Sequence, residues 1–157
     1  MFIPLHDDTP LKIIRFQFVT VTIMAANIVM FLTTSAWNED MIFAVASGYG
    51  IVPAEFTGQA AGPTFNPVAE PLTLFTYMFL HAGWIHLGTN MLFLWVFGDN
   101  VEDALGHIKF LIFYLLCAIA GALVHVLVAP ESEIPLIGAS GAIAGVVAAY
   151  LILHPRV

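Results

Sequence analysis

Residues 110–128 read FLIFYLLCAIAGALVHVLV, a stretch of 19 residues without a charged side chain. A helix needs about 20 predominantly apolar residues to cross a bilayer. Three further runs without Asp, Glu, Lys or Arg occupy residues 16–38, 71–98 and 134–155. The pattern predicts an all-α, polytopic membrane helical bundle with four spans, at about 16–32, 84–97, 110–128 and 139–153.

The composition supports the same class of protein. Of the 157 residues, 60% are hydrophobic and 10% are charged, with a formal net charge of -7. A soluble domain has about 25% charged residues. High hydrophobicity excludes a disordered chain, and the negative charge excludes a nucleic-acid partner. The single cysteine, Cys117, excludes a disulfide framework and a thiolate zinc site, so we predict a small buried apolar side chain there.

The basic residues predict the orientation. With four spans, all four basic residues fall on one side of the membrane, and the connections on the other side contain none. The four are Lys12, Arg15, Lys109 and Arg156. By the positive-inside rule, both termini are cytoplasmic. Residues 1–15 then form a cytoplasmic segment, residues 16–157 form the membrane domain, and residues 33–71 form a long outer loop at the membrane interface.

Polar side chains in the second span indicate either a structural pair or a site. His86 and Asn90 are four residues apart and therefore share one helix face, and His81 lies at the entry to the helix. A metal site is disfavoured because no carboxylate or third ligand has matching spacing. Asp99 and Glu102 further along resemble a capping box that opens a new helical turn.

Ser140 lies in the glycine-rich sequence IGASG at the start of the fourth span. It could be an N-cap beside a closely packed helix. It could also be a nucleophile, because a helix N-terminus favours a developing oxyanion. In the four-span topology Ser140, His86 and Asn90 all lie in the outer half of the membrane. A hydroxyl facing two side-chain donors at one depth is an arrangement suited to acyl transfer.

Three segments together resemble the rhomboid intramembrane serine proteases: HAGWIHLGTN at 81–90, FGDNVE at 97–102 and GASG at 138–141. The resemblance implies that Ser140 is the nucleophile and that His86 and Asn90 stabilise the oxyanion. It further implies that His81 lies near the site and that Glu102 is a structural acid on the cytoplasmic side. Substrates would be transmembrane segments of other proteins, and no metal or organic cofactor is implied.

Two features depart from the family pattern. Rhomboids of the simplest type have six spans, and their general-base histidine is on the sixth. We therefore expect four of the six spans here and no general base within residues 1–157. His154 would lie about 21 Å along the helix from Ser140, too far to act as its general base. His125 lies at a suitable depth, but nothing in the sequence places it next to Ser140. The family's Trp-Arg pair is replaced by Trp37 and Asn38. We therefore expect the 157-residue chain alone to be inactive.

The resulting prediction is an intramembrane serine endopeptidase of the bacterial inner membrane, with transmembrane proteins and the bilayer as its partners. The alternative is a non-catalytic rhomboid-like protein that binds transmembrane helices without cleaving them. A channel or transporter is disfavoured because no predicted span carries Asp, Glu, Lys or Arg in its apolar part.

Overall fold

The computed structural model describes residues 11, 13–35, 39–62 and 67–155. Seven α-helices are found in these ranges: α1 (Phe18–Thr34), α2 (Glu39–Tyr49), α3 (Pro53–Phe56), α4 (Glu70–Thr76), α5 (Trp84–Leu105), α6 (His107–Val128) and α7 (Ser140–Leu153). A 3-10 turn, Tyr77–Phe79, precedes α5. Extended pairing within the described ranges is limited to one isolated bridge, between Ile51 and Leu136. The predicted all-α fold is confirmed.

Helix α7 packs against both α5 and α6, and the main core lies between them. Helices α6 and α7 approach closely at glycine: a methyl group built on Gly121 would lie 3.0 Å from the Cα of Gly141. Such small residues let helix backbones pack tightly in membranes. Cys117 on α6 fills the space beside Gly145. Its side chain is half-buried, so the predicted burial of Cys117 is only partial.

Helix α5 extends beyond the predicted span and corrects the capping-box interpretation. It continues without a break to Leu105, so Asp99 and Glu102 lie inside one helix. The buried Glu102 carboxylate instead accepts hydrogen bonds from α1, from the backbone N–H groups of Val19 (3.0 Å) and Thr20 (2.8 Å). Glu102 therefore caps the N-terminus of a helix more than 80 residues away in sequence.

The structure supports membrane-spanning length most directly for α6. Within the part of the chain that is described, α6 is the one helix long and apolar enough to cross a bilayer, and α1 and α7 are apolar but shorter. Large apolar side chains are exposed on the outer surface, including Ile85 (87%), Leu127 (79%) and Ile152 (78%). Exposed apolar side chains on several helices are expected of a protein whose outer surface faces lipid. The count of four spans stays a prediction.

The described parts of the long outer loop, residues 39–62 and 67–71, contain α2, α3 and the start of α4. This loop docks on the 129–139 loop, which connects α6 to α7. Ile51 and Leu136 exchange backbone hydrogen bonds of 3.1 and 2.7 Å, and the Ala54 N–H donates to the Ser132 carbonyl at 3.0 Å. The long loop therefore holds in place the segment that leads to Ser140. Residues 1–10 and Lys12 of the predicted N-terminal segment, Trp37 with Asn38, and Arg156 lie outside the described residues.

Candidate active site

Ser140 is the first residue of α7, and its side chain is exposed. The N-cap position belongs to Ala139, so the interpretation of Ser140 as an N-cap is wrong. No side-chain capping hydrogen bond is made at this helix end. The first backbone N–H groups of a helix have no partner within the helix. The hydroxyl therefore lies beside a helix terminus that can interact with negative charge.

The turn before Ser140 lies directly on His86 and Asn90, which we call the polar pair. Gly138 has φ of +113°, in the region that favours glycine. A methyl group built on Gly138 would lie 2.6 Å from Cε1 and 2.7 Å from Nε2 of His86, and 3.8 Å from Nδ2 of Asn90. Glycine is therefore required at position 138 for both its backbone conformation and its contact with the imidazole.

The polar pair presents side-chain nitrogens to this turn. Asn90 is buried, and its Nδ2 has no hydrogen-bond partner within the described residues. The Ala82 N–H points at Nδ1 of His86 at 3.5 Å. With Nδ1 accepting, the proton of a neutral imidazole is on Nε2, the nitrogen nearest Gly138. The structure thus brings two N–H donors to the backbone two residues before Ser140.

His81 is also close to the polar pair. Its ring is buried, and the ring centroids of His81 and His86 are 5.0 Å apart. The structure therefore brings His81 next to His86 of the polar pair. His81 lies in the segment between the 3-10 turn and α5, whereas His86 lies on α5 itself.

Tyr77 is a positioning residue that sequence analysis did not identify. Its hydroxyl donates to the Ala118 carbonyl on α6 at 2.7 Å, and its own carbonyl accepts the Gly138 N–H at 2.9 Å. A methyl group on Gly141 would be 3.3 Å from the same hydroxyl. Tyr77 therefore links the 3-10 turn, α6 and the start of α7. In the sequence it is one aromatic residue in an apolar run, without a local signal.

The other histidines in the described part of the chain are distributed between the two ends of the bundle. His154 follows the far end of α7, with its ring centroid 4.9 Å from that of Tyr150. His107 contacts Glu102, with Nδ1 2.5 Å from Oε1, at the same end. His125 lies in the last turn of α6, at the end where α7 begins, and is half-buried. Among the described residues, no group of three His, Cys, Asp or Glu side chains could hold a metal ion.

The match to a known family covers the segment that carries the polar pair and Ser140. The model of the Rhomboid domain family matches residues 68–157, more than half of the chain. Rhomboid-like protein 11, chloroplastic, of Arabidopsis thaliana is 40% identical over 73 residues (46% of this chain and 26% of that protein). Rhomboid protein 1, mitochondrial, of Saccharomyces cerevisiae is 35% identical over 93 residues (57% and 27%). Rhomboid protease GluP of Bacillus subtilis is 41% identical over 78 residues (50% and 15%).

These alignments cover only part of each relative, at most 27% of the three named proteins. No solved structure matches the chain significantly. The family match nevertheless includes α5, α6, α7 and all four of His81, His86, Asn90 and Ser140. The chain belongs to the rhomboid family of integral membrane proteins.

Proposed function

We propose that this chain carries the nucleophile and the oxyanion-binding groups of an intramembrane serine endopeptidase. The observation that supports this most is the contact of Gly138 with the polar pair, two residues before an exposed serine. Burial of an unpartnered Asn90 amide adds to it, because a buried donor without an acceptor is costly and calls for a ligand. A carbonyl oxygen that becomes negatively charged would be such an acceptor.

In the proposed reaction, Oγ of Ser140 attacks the carbonyl carbon of a peptide bond in the substrate. The Nε2–H of His86 and the Nδ2–H of Asn90 hold the resulting oxyanion, and the start of α7 adds its dipole. The hydroxyl proton passes to a base and then to the leaving amine, and water releases the acyl-enzyme. We assign the base to a histidine outside residues 1–157, as the family resemblance implies. The exposed side of Ser140 leaves room for it.

The proposed substrates are transmembrane segments of other proteins. Membership of an integral membrane family supports this, as does a relative that is named a protease. The named relatives do not identify the membrane of this chain, because they are chloroplastic, mitochondrial and bacterial. The bacterial inner membrane therefore stays a prediction.

The oxyanion assignment predicts selective kinetic effects. Asn90→Ala and His86→Ala are each expected to lower kcat for a fluorogenic transmembrane substrate by about 10²–10³-fold, because each removes one donor to the transition state. The assay uses the complete gene product in liposomes. Thr89→Ala is the matched control, since Thr89 is exposed on the same helix and its hydroxyl is bonded to the Ile85 carbonyl.

Two results would oppose this assignment. If Thr89→Ala loses as much activity as Asn90→Ala, the effect belongs to α5 as a whole and not to the donors. If the wild-type protein binds transmembrane helices but cleaves none of them, the non-catalytic alternative is correct.

We also propose four spans with both termini in the cytoplasm. Reporter fusions after Gly106 and after Val157 are expected to read cytoplasmic, and fusions after Pro63 and after Pro130 to read external, because the basic residues follow the positive-inside rule in this topology. A cytoplasmic signal at Pro63 would contradict it.

A further inference from the structure

The imidazole of His81 lies against the imidazole of His86 and has no surface open to a substrate. The two ring centroids are 5.0 Å apart, and the ring planes make an angle of 60°. His81 is 6% exposed, and both of its ring nitrogens are closed off from solvent. A side chain that exchanges a proton with a substrate must come within about 2.6–3.2 Å of it. Any effect of His81 on the proposed reaction therefore passes through His86.

The His86 imidazole is held on three sides. The His81 ring packs against it, and the Ala82 N–H points at its Nδ1 at 3.5 Å. On another side lies Gly138, where an added methyl group would be 2.7 Å from Nε2. His86 is only half-buried in the first turn of α5, and the torsion that turns an imidazole ring is intrinsically broad. These contacts therefore decide where Nε2 of His86 points.

The contact between the two rings closes a path that leads back to the start of α7. The Gly138 N–H donates to the Tyr77 carbonyl at 2.9 Å, and Tyr77 begins the 3-10 turn that ends at Phe79. The backbone of Phe79 lies within hydrogen-bonding range of the His81 ring. From His81 the path continues to His86, and from His86 to Gly138. The orientation of the His81 ring is therefore fixed relative to the same turn that His86 faces.

We propose that His81 is a positioning residue, which holds the His86 imidazole so that its Nε2–H points at the oxyanion formed beside Gly138. This inference rests on the proposed function, because it concerns how His86 donates to the oxyanion. A misplacement of about 1 Å can cost an enzyme about 100-fold in rate. Loss of the ring contact would free the His86 imidazole to turn away from the oxyanion.

The test is a double-mutant cycle on kcat, with a fluorogenic transmembrane substrate and the complete gene product in liposomes. We expect His81→Ala to lower kcat by about 10- to 100-fold. It should leave KM unchanged, because His81 does not touch the substrate. In the His86→Ala background the same substitution should change kcat by less than about twofold, because the imidazole that His81 holds is absent.

His154→Ala is the matched control. The His154 ring contacts the ring of Tyr150 with a centroid distance of 4.9 Å, close to the 5.0 Å between His81 and His86, but at the far end of α7. The substitution therefore removes a similar ring contact that has no link to the oxyanion. It should leave kcat unchanged both in the wild type and in the His86→Ala background.

A second variant decides the question even if His81→Ala fails to fold. His81→Phe keeps a flat ring against His86 and should lower kcat by less than about tenfold. A loss of about tenfold or more in a folded His81→Phe protein would overturn the proposal. Equal losses from His81→Ala with and without the His86 imidazole would also overturn it, because a merely structural role acts independently of His86.

The same measurements separate this inference from the proposed function. If His86→Ala and Asn90→Ala lower kcat while His81→Ala does not, the positioning role of His81 is wrong and the oxyanion assignment stands. If neither His86→Ala nor Asn90→Ala lowers kcat, the oxyanion assignment is wrong, and the role of His81 is wrong with it.

Discussion

Ser140→Ala is expected to reduce cleavage of a transmembrane substrate to background, while the protein remains folded. Loss of the nucleophile in a serine protease leaves only the residual rate that binding and the oxyanion hole supply. The side chain is exposed and makes no capping hydrogen bond. The free energy of unfolding should therefore change by no more than about 0.5 kcal/mol. The measurement is cleavage in liposomes by the complete gene product, together with its thermal unfolding.

Ser47→Ala is a matched control, because Ser47 lies half-buried on α2 and has no proposed part in the chemistry. Wild-type cleavage by the Ser140→Ala protein would refute the proposed nucleophile. The 157-residue chain should itself be assayed beside its own Ser140→Ala form, and we expect neither to cleave. If the unmodified chain cleaves and its variant does not, the base lies within these residues. His125, at the end of α6 where α7 begins, would then be the first candidate.

Glu102→Ala is expected to have the largest effect on stability. The buried carboxylate accepts hydrogen bonds from two backbone N–H groups of α1, and from the Thr20 hydroxyl at 2.6 Å. Its removal would leave these donors buried without an acceptor, at about 1–3 kcal/mol each. We expect the free energy of unfolding to fall by roughly 3 kcal/mol or more. Thermal unfolding in detergent measures this.

Glu102→Gln should lose less stability, since the amide keeps one acceptor oxygen in a side chain of nearly the same shape. Glu131→Ala, in the exposed part of the 129–139 loop, should change stability by no more than about 0.5 kcal/mol. An equal effect of Glu102→Ala and Glu131→Ala would show that Glu102 does not hold α1 to α5.

Features that depend on neighbouring residues in the chain were predictable from the sequence. The charge-free runs predict apolar helices because a lipid-facing helix cannot expose charge. The spacing of His86 and Asn90 predicts a shared face because a helix turns once in 3.6 residues. The glycines at the start of the fourth span predict close helix packing, and Gly141 lies directly against Gly121 of α6.

The role of Glu102 shows where local patterns fail. Its spacing from Asp99 suggested a cap for its own helix, yet the structure has it capping α1. A carboxylate satisfies whichever donors packing brings to it, and no periodicity in the sequence records which helix end that will be. The role of Tyr77 was not predictable for the same reason, since its hydroxyl and its carbonyl each form a hydrogen bond with a segment distant in the chain.

The sequence by itself therefore determined the all-α fold, the apolar helices and the residue types of the candidate site, because these follow from polarity and from the helical repeat over short distances. Only the tertiary structure decided that the long loop pairs with the 129–139 loop at Ile51 and Leu136, and that Gly138 lies against His86. Those contacts join segments tens of residues apart. They form because distant surfaces fit together and leave few backbone groups unpaired, which depends on the packing of the whole chain.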